Sequence, residues 1–198
     1  MAPLDPLTHD RVYRALKQDI LSGRIAPPGR LAAAQIARNY QASMTPVREA
    51  IYRLVGEGVV TMKEGGFYAT PFDPGMLADI LDLSQKLLVI GLNRWNDETL
   101  PASTPMLVDD LCPADCVRLV ENVFQHLFDG TGNQAISSWG KAANDRLHSL
   151  RIADCEAHRR ARLECRTIFN HALERDRTRL GRRILTHHRR LFRLLATF

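Results

Sequence analysis

The chain has 198 residues, 45% hydrophobic and 25% charged, a balance that suits one large or two small folded domains rather than a disordered segment. Its longest apolar run, Leu87 to Leu92, falls far short of the roughly 20 residues a membrane helix needs. The net charge of +5 is unevenly spread: residues 1–73 hold nine cations against seven acids, 74–155 six against eleven, and 156–198 twelve arginines against four acids. The mildly basic first segment permits phosphate contact, and the arginine-rich last segment reads as the solvated face of amphipathic helices ahead of a direct DNA contact.

In chain order, Val12, Leu16, Ile20 and Leu21 recur at helical spacing and predict a helix over 10–21, with Gly23 as its terminator. Pro27-Pro28-Gly29 marks a turn. A second helix over 32–40 offers Ile36 and Ala37 to a core. Ser43 suits a helix N-cap and Pro46 the first turn beyond it. The third helix runs through Val47, Ile51 and Leu54 and ends near Gly56 or Gly58. Residues 59–62 and 67–70, flanking Gly65-Gly66, read as a two-stranded hairpin. Pro71 and Pro74 bracket a linker. From Met76 onward helical patterns dominate, near 75–95, 114–128, 133–152, 156–175 and 177–196. Residues 97–112 hold two prolines and form a connection or an irregular helix. The fold class is therefore mainly α: a winged helix-turn-helix over 1–73 and an all-α helical bundle over 74–198.

Two short helices and a hairpin in this order place a helix N-terminus where it fits a DNA major groove, with its free N–H groups and dipole favouring phosphate. Ser43, Met44, Thr45, Pro46 and Arg48 occupy that end. Ser43 and Thr45 suit phosphate oxygens, and Arg48 is long enough to reach a guanine edge or a phosphate bidentately. Lys63, Gly65 and Gly66 at the hairpin tip would approach the adjacent minor groove.

Over roughly Val12 to Pro71 the sequence resembles the GntR family of bacterial regulators. The resemblance rests on Ile20-Leu21-Ser22-Gly23-Arg24-Ile25, Pro28-Gly29-Arg30-Leu31, Ile36-Ala37, Ser43-Met44-Thr45-Pro46-Val47-Arg48-Glu49-Ala50-Ile51, Leu54, Gly58 and Gly66. Relatives commonly place a cation where this chain has Met44, and often an Arg where it has Ala34. Two phosphate contacts are thus expected to be missing, with a shallower salt dependence. The all-helical remainder resembles the FadR subfamily, with its FCD-type C-terminal domain. That resemblance implies a homodimer, double-stranded operator DNA and a small-molecule metabolite effector as partners, and no membrane. It implies a metal position at Asn144, His148, Cys165 and His187, where Asn and Cys depart from the family's Asp and His. A divalent metal such as Zn or Ni, if retained there, would meet a softer site. The effector would lie near Ser84, His148 and His187, with Ser84 standing where relatives have an effector-binding Arg.

Other residues have plainer readings. His126, His158 and His171 stand alone, His188 is expected to face away from His187, and Trp95 and Trp139 are expected to pack a core. Val89, Ile90 and Leu92 make the end of one helix apolar nearly all round, which suits burial partly at a dimer contact. The cysteines, Cys112, Cys116, Cys155 and Cys165, are expected to be reduced thiols, and no second close pair joins Cys112 and Cys116 in a zinc knuckle. The segment that opens the chain carries no signal-peptide pattern, so the expected location is cytoplasmic, and the resemblance to regulators implies that the protein is not an enzyme. Two alternatives remain: a thiol redox-sensing regulator through Cys112 and Cys116, and a metal-dependent enzyme using His148 and His187.

Overall fold

The computed structural model describes residues 6–26, 28–71, 73–95 and 111–197. The connection expected over 97–112 lies almost wholly outside them. Internal contacts divide the chain into two units, Met1–Phe72 and Asp73–Phe198.

In the first unit, α1 (Pro6–Leu21), α2 (Ala33–Asn39) and α3 (Met44–Gly56) precede a hairpin of β1 (Val60–Lys63) and β2 (Gly66–Ala69). The helical spacing of Val12, Leu16 and Ile20 puts them on one buried stripe of α1. That stripe shares a core with Ile36 and Ala37 of α2 and with Val47, Ala50, Ile51 and Leu54 of α3. Val60 and Ala69, paired in the hairpin, close it. Arg30 bridges to Tyr68, and Leu31 N–H donates to Phe67 O at 2.8 Å, so the chain before α2 lies along β2 as a third short segment. Lys17, inside α1, reaches Glu57 at 2.7 Å and ties α1 to the end of α3.

The turn between α2 and α3 is set by backbone geometry at a residue with no composition signal. Gln41 takes φ 49°. Its N–H donates to Arg38 O at 3.2 Å and the Ala42 N–H donates to Ala37 O at 2.9 Å, the paired bonds of a Schellman ending. Gly58, at φ 72°, ends α3 in the same way.

The second unit packs α4 (Pro74–Arg94), α5 (Pro113–Asp129), α6 (Gln134–Ala157), α7 (Arg159–Leu173) and α8 (Arg177–Leu195). Asp73, Asn133 and Asp176 cap α4, α6 and α8 through their side chains. The main core joins Leu88 of α4, Val120 and Phe124 of α5, Ile168 of α7 and Leu180 and Ile184 of α8. A smaller cluster gathers Leu77, Leu81, Leu147, Leu150, Leu191 and Leu195. Gly91 lets α4 lie against α5, since a Cβ there would meet Leu127 O at 2.6 Å.

Three expectations change. The break expected after residue 152 falls at His158, because α6 runs on to Ala157. Arg162 of α7 donates to Cys155 O at 2.5 Å, satisfying a carbonyl at that helix end from a residue beyond the break. Trp139 is 60% exposed instead of packed, while Trp95 is buried. His188 is as buried as His187.

Candidate functional site

The start of α3 is the exposed polar end that the sequence pattern predicts. Ser43 stands at the N-cap in extended backbone but makes no side-chain cap hydrogen bond. Ser43, Thr45 and Arg48 are exposed, and Met44 is 37% exposed. Pro46 and Val47 are buried beneath them. Pro46 is thus a helix starter seated in the core and not an available contact, a correction to its place among the DNA-binding candidates. It fits that position because its missing N–H would be unpaired in a first turn anyway. Arg48 has no hydrogen-bond or ion-pair partner among the described residues, whereas its neighbour Glu49 pairs with His9 at 3.0 Å. A cation left free beside unsatisfied N–H groups is the arrangement a phosphate or a guanine edge would complete.

At the hairpin tip Lys63 and Gly65 are exposed and Gly66 is half-buried. Gly65 has φ 90° and Gly66 φ 148°, where side chains are strained, so these glycines shape the turn as well as thin it. Arg30 donates to Gly65 O at 2.8 Å and holds the tip. Sequence reading missed that role, because its partner lies 35 residues away.

In the helical unit, Asn144, His148 and Arg151 fall on one face of α6 and meet Glu121 of α5. Glu121 Oε2 lies 3.0 Å from His148 Nδ1, and Glu121 Oε1 accepts from Arg151 Nη1 at 3.0 Å. Asn144 Nδ2 donates to Glu121 O at 3.3 Å. The Arg151 guanidinium is 1% exposed and sits 5.4 Å from the Phe124 ring centre. His187 and His188 pack on the same ring at 5.9 and 5.8 Å. His188 Nδ1 donates to Ile184 O at 2.9 Å, so its Nε2 accepts from Ser84 Oγ, 3.5 Å away. His187 Nδ1 accepts from Arg190 at 3.2 Å, so its Nε2 carries the proton. Burial, then the Arg151 charge, holds His187 down to about 3, and burial, then His187, does the same for His188. Burial pushes the Glu164 carboxyl beside them up to about 6.

Within this cluster Arg151 Nε and Nη2, His187 Nε2 and Asn144 Oδ1 are buried without a partner among the described residues. Unpaired buried polar atoms are costly and mark a place where a ligand or water completes the bonding. The sequence-derived effector positions Ser84, His148 and His187 all border it. The sequence-derived metal set does not assemble: among the described residues no group of three His, Cys, Asp or Glu is placed to hold a metal ion. Cys165 instead lies against Cys155, Sγ to Sγ 3.8 Å. The residues do not fit a metal centre. Cys112 and Cys116 have different partners: the exposed Cys112 thiol donates to Asp115 at 3.1 Å, and the buried Cys116 thiol points to Leu111 O.

The arginines of α8 lie mostly on its outer face, opposite the buried Leu180, Ile184, Leu191 and Leu195. Arg179, Arg182 and Arg183, with His171 and Thr186, line an open groove of about 390 Å³. Among the described residues, no helix is long and apolar enough to cross a membrane.

Residues 8–67 match the family of bacterial regulatory proteins named gntR. The chain is 23% identical over 190 residues to the HTH-type transcriptional regulator YdhC of Bacillus subtilis, covering 88% of this chain and 85% of that one. It is 31% identical over 91 residues to the HTH-type transcriptional repressor GlaR of Escherichia coli, covering 43% of this chain and 41% of GlaR. Two solved structures share the fold over 96% of this chain and 97% of theirs. One is a GntR transcriptional regulator of Rhodococcus sp. RHA1, at a TM-score of 0.72 and 15% identity. The other is McbR/YncC of E. coli, at 0.64 and 14%. These similarities fit an N-terminal winged helix-turn-helix joined to a helical domain.

Proposed function

We propose that the chain, whose residues 8–67 match the gntR family of bacterial regulatory proteins, is a DNA-binding transcriptional regulator that presents the start of α3 to the major groove of an operator. The observation that carries this reading is Arg48, exposed and unpaired beside the uncapped first turn of α3. Thr45 and Ser43 would take phosphate oxygens, Met44 a thymine methyl, and Lys63 with the Gly65–Gly66 tip the neighbouring minor groove. A homodimer would set two such heads on half-sites one helical turn apart, and the exposed Leu83, Val89 and Ile90 of α4 supply an apolar face for pairing.

We read the helical unit as a FadR-type effector domain. The buried partnerless atoms of Arg151, His187 and Asn144 favour a small polar effector that supplies both acceptors and a donor. An effector shifts operator affinity only by binding one arrangement of the protein better than another. Footprinting of the DNA upstream of the chain's own gene tests the reading. Two protected half-sites, altered by a metabolite that binds the helical unit, are expected. Uniform, sequence-independent protection would overturn it.

A further inference from the structure

We propose that Cys155 and Cys165 are a modification site: a hydroperoxide converts this thiol pair, reversibly, into a disulfide joining the last turn of α6 to α7. The pair is preformed. Its sulfurs touch at 3.8 Å and must close to about 2.05 Å, a shift that two side-chain rotations share. The cysteines belong to consecutive helices that double back at His158, so no distant segments need to meet.

The surroundings give the two sulfurs different parts. The hydrogen bond with Cys165 lowers the Cys155 thiol against its burial, and the charges of Arg162 and Arg151 work in the same direction. The hydrogen bond with Cys155, then burial, pushes the Cys165 thiol up. The Arg162 guanidinium, bonded to the Cys155 carbonyl, sets a positive charge beside Cys155, so Cys155 is the attacking sulfur and Cys165, 3.8 Å away, resolves it. The other two cysteines are poorer candidates. The exposed Cys112 thiol is spent on the Asp115 carboxylate, to which it donates, and burial pushes Cys116 up.

The chemistry balances in two steps. The Cys155 thiolate attacks one peroxide oxygen, the O–O bond breaks, and the departing hydroxide or alkoxide takes up the proton that Cys155 released. The Cys165 sulfur then attacks the sulfenic sulfur, the S–O bond breaks, and the hydroxyl leaves with the Cys165 proton as water. Two thiols lose two electrons, and the hydroperoxide becomes water plus water or an alcohol. Both cysteines are 1% exposed, so oxidation requires opening of the α6 end. Residues 156–160 beside it are exposed, so such an opening starts from a solvated segment.

The test uses the full chain, reduced and then treated with hydrogen peroxide. Peptides spanning Cys155 and Cys165 are expected to appear linked, at a mass lower by two hydrogens. Free thiols fall from four to two, and dithiothreitol restores them. Cys165→Ser is expected to leave a sulfenic acid on Cys155 that dimedone traps. A Cys112–Cys116 link in the wild-type chain, or four thiols surviving peroxide, would overturn the proposal. The wild-type measurement decides even where a variant fails to fold.

Discussion

Acid should loosen the helical unit through His187 and His188. Both rings are neutral in the fold, held down to about 3 from an ordinary 6.5. Below about 6.5 the unfolded chain binds protons that the folded rings refuse. The stability is therefore fully present above that value and is lost as pH falls toward about 3. At pH 5 the loss is about 2 kcal/mol for each ring. Glu164 works the other way, because a folded value raised to about 6 favours the fold on protonation. Its ion pair with Arg190, 2.7 Å away, opposes that rise, so the offset is at most about 1 kcal/mol. A net loss of about 3 kcal/mol between pH 7.5 and pH 5 is a large share of an ordinary domain's stability. Both tryptophans, Trp95 and Trp139, lie in the second unit, so urea unfolding followed by tryptophan fluorescence reads that unit alone. His187→Asn should cut that net loss from about 3 to about 1 kcal/mol. A urea midpoint unchanged from pH 7.5 to pH 5 would refute the burial argument. Histidine NMR titration of the wild type, with two rings resisting protonation, checks the same point without a variant.

Further outcomes follow from single contacts. Met44→Arg should restore a phosphate contact and steepen the salt dependence of DNA binding by about 0.9 in log–log slope, read by anisotropy across a salt series. Gly91→Ala should lower the thermal midpoint by several degrees, because its Cβ would meet Leu127 O at 2.6 Å and the backbone there yields at a cost of about 1–3 kcal/mol. Glu57→Ala removes the acceptor of both Tyr13 (2.7 Å) and Lys17 (2.7 Å) and should destabilise the winged unit by about 1–3 kcal/mol in backbone circular dichroism melts.

The winged unit was largely legible because its signals are local: apolar residues at helical spacing, Gly and Pro at turns, and a hairpin around Gly65-Gly66. The turn at Gln41 was not, since a left-handed Gln carries no composition signal and only the backbone bonds of α2 define it. In the helical unit the spacing of Asn144, His148 and Arg151 placed all three on one face, yet sequence reading stopped at the first two. Arg151 gains its meaning from Glu121, 30 residues away. The metal set followed family spacing, and packing sent Cys165 to a different neighbour. Trp139 and His188 show the same limit: helical phase alone does not say which side a neighbouring helix covers.

The central claim is that the first turn of α3 reads DNA, and Arg48→Ala tests it most directly. Arg48 has no partner within the fold among the described residues, so the variant should melt with the wild type. The measurement is a gel-shift titration against the operator fragment identified by footprinting. Loss of specific binding, with weak sequence-independent binding left, is the expected result. Operator affinity retained at the wild-type level would contradict the claim.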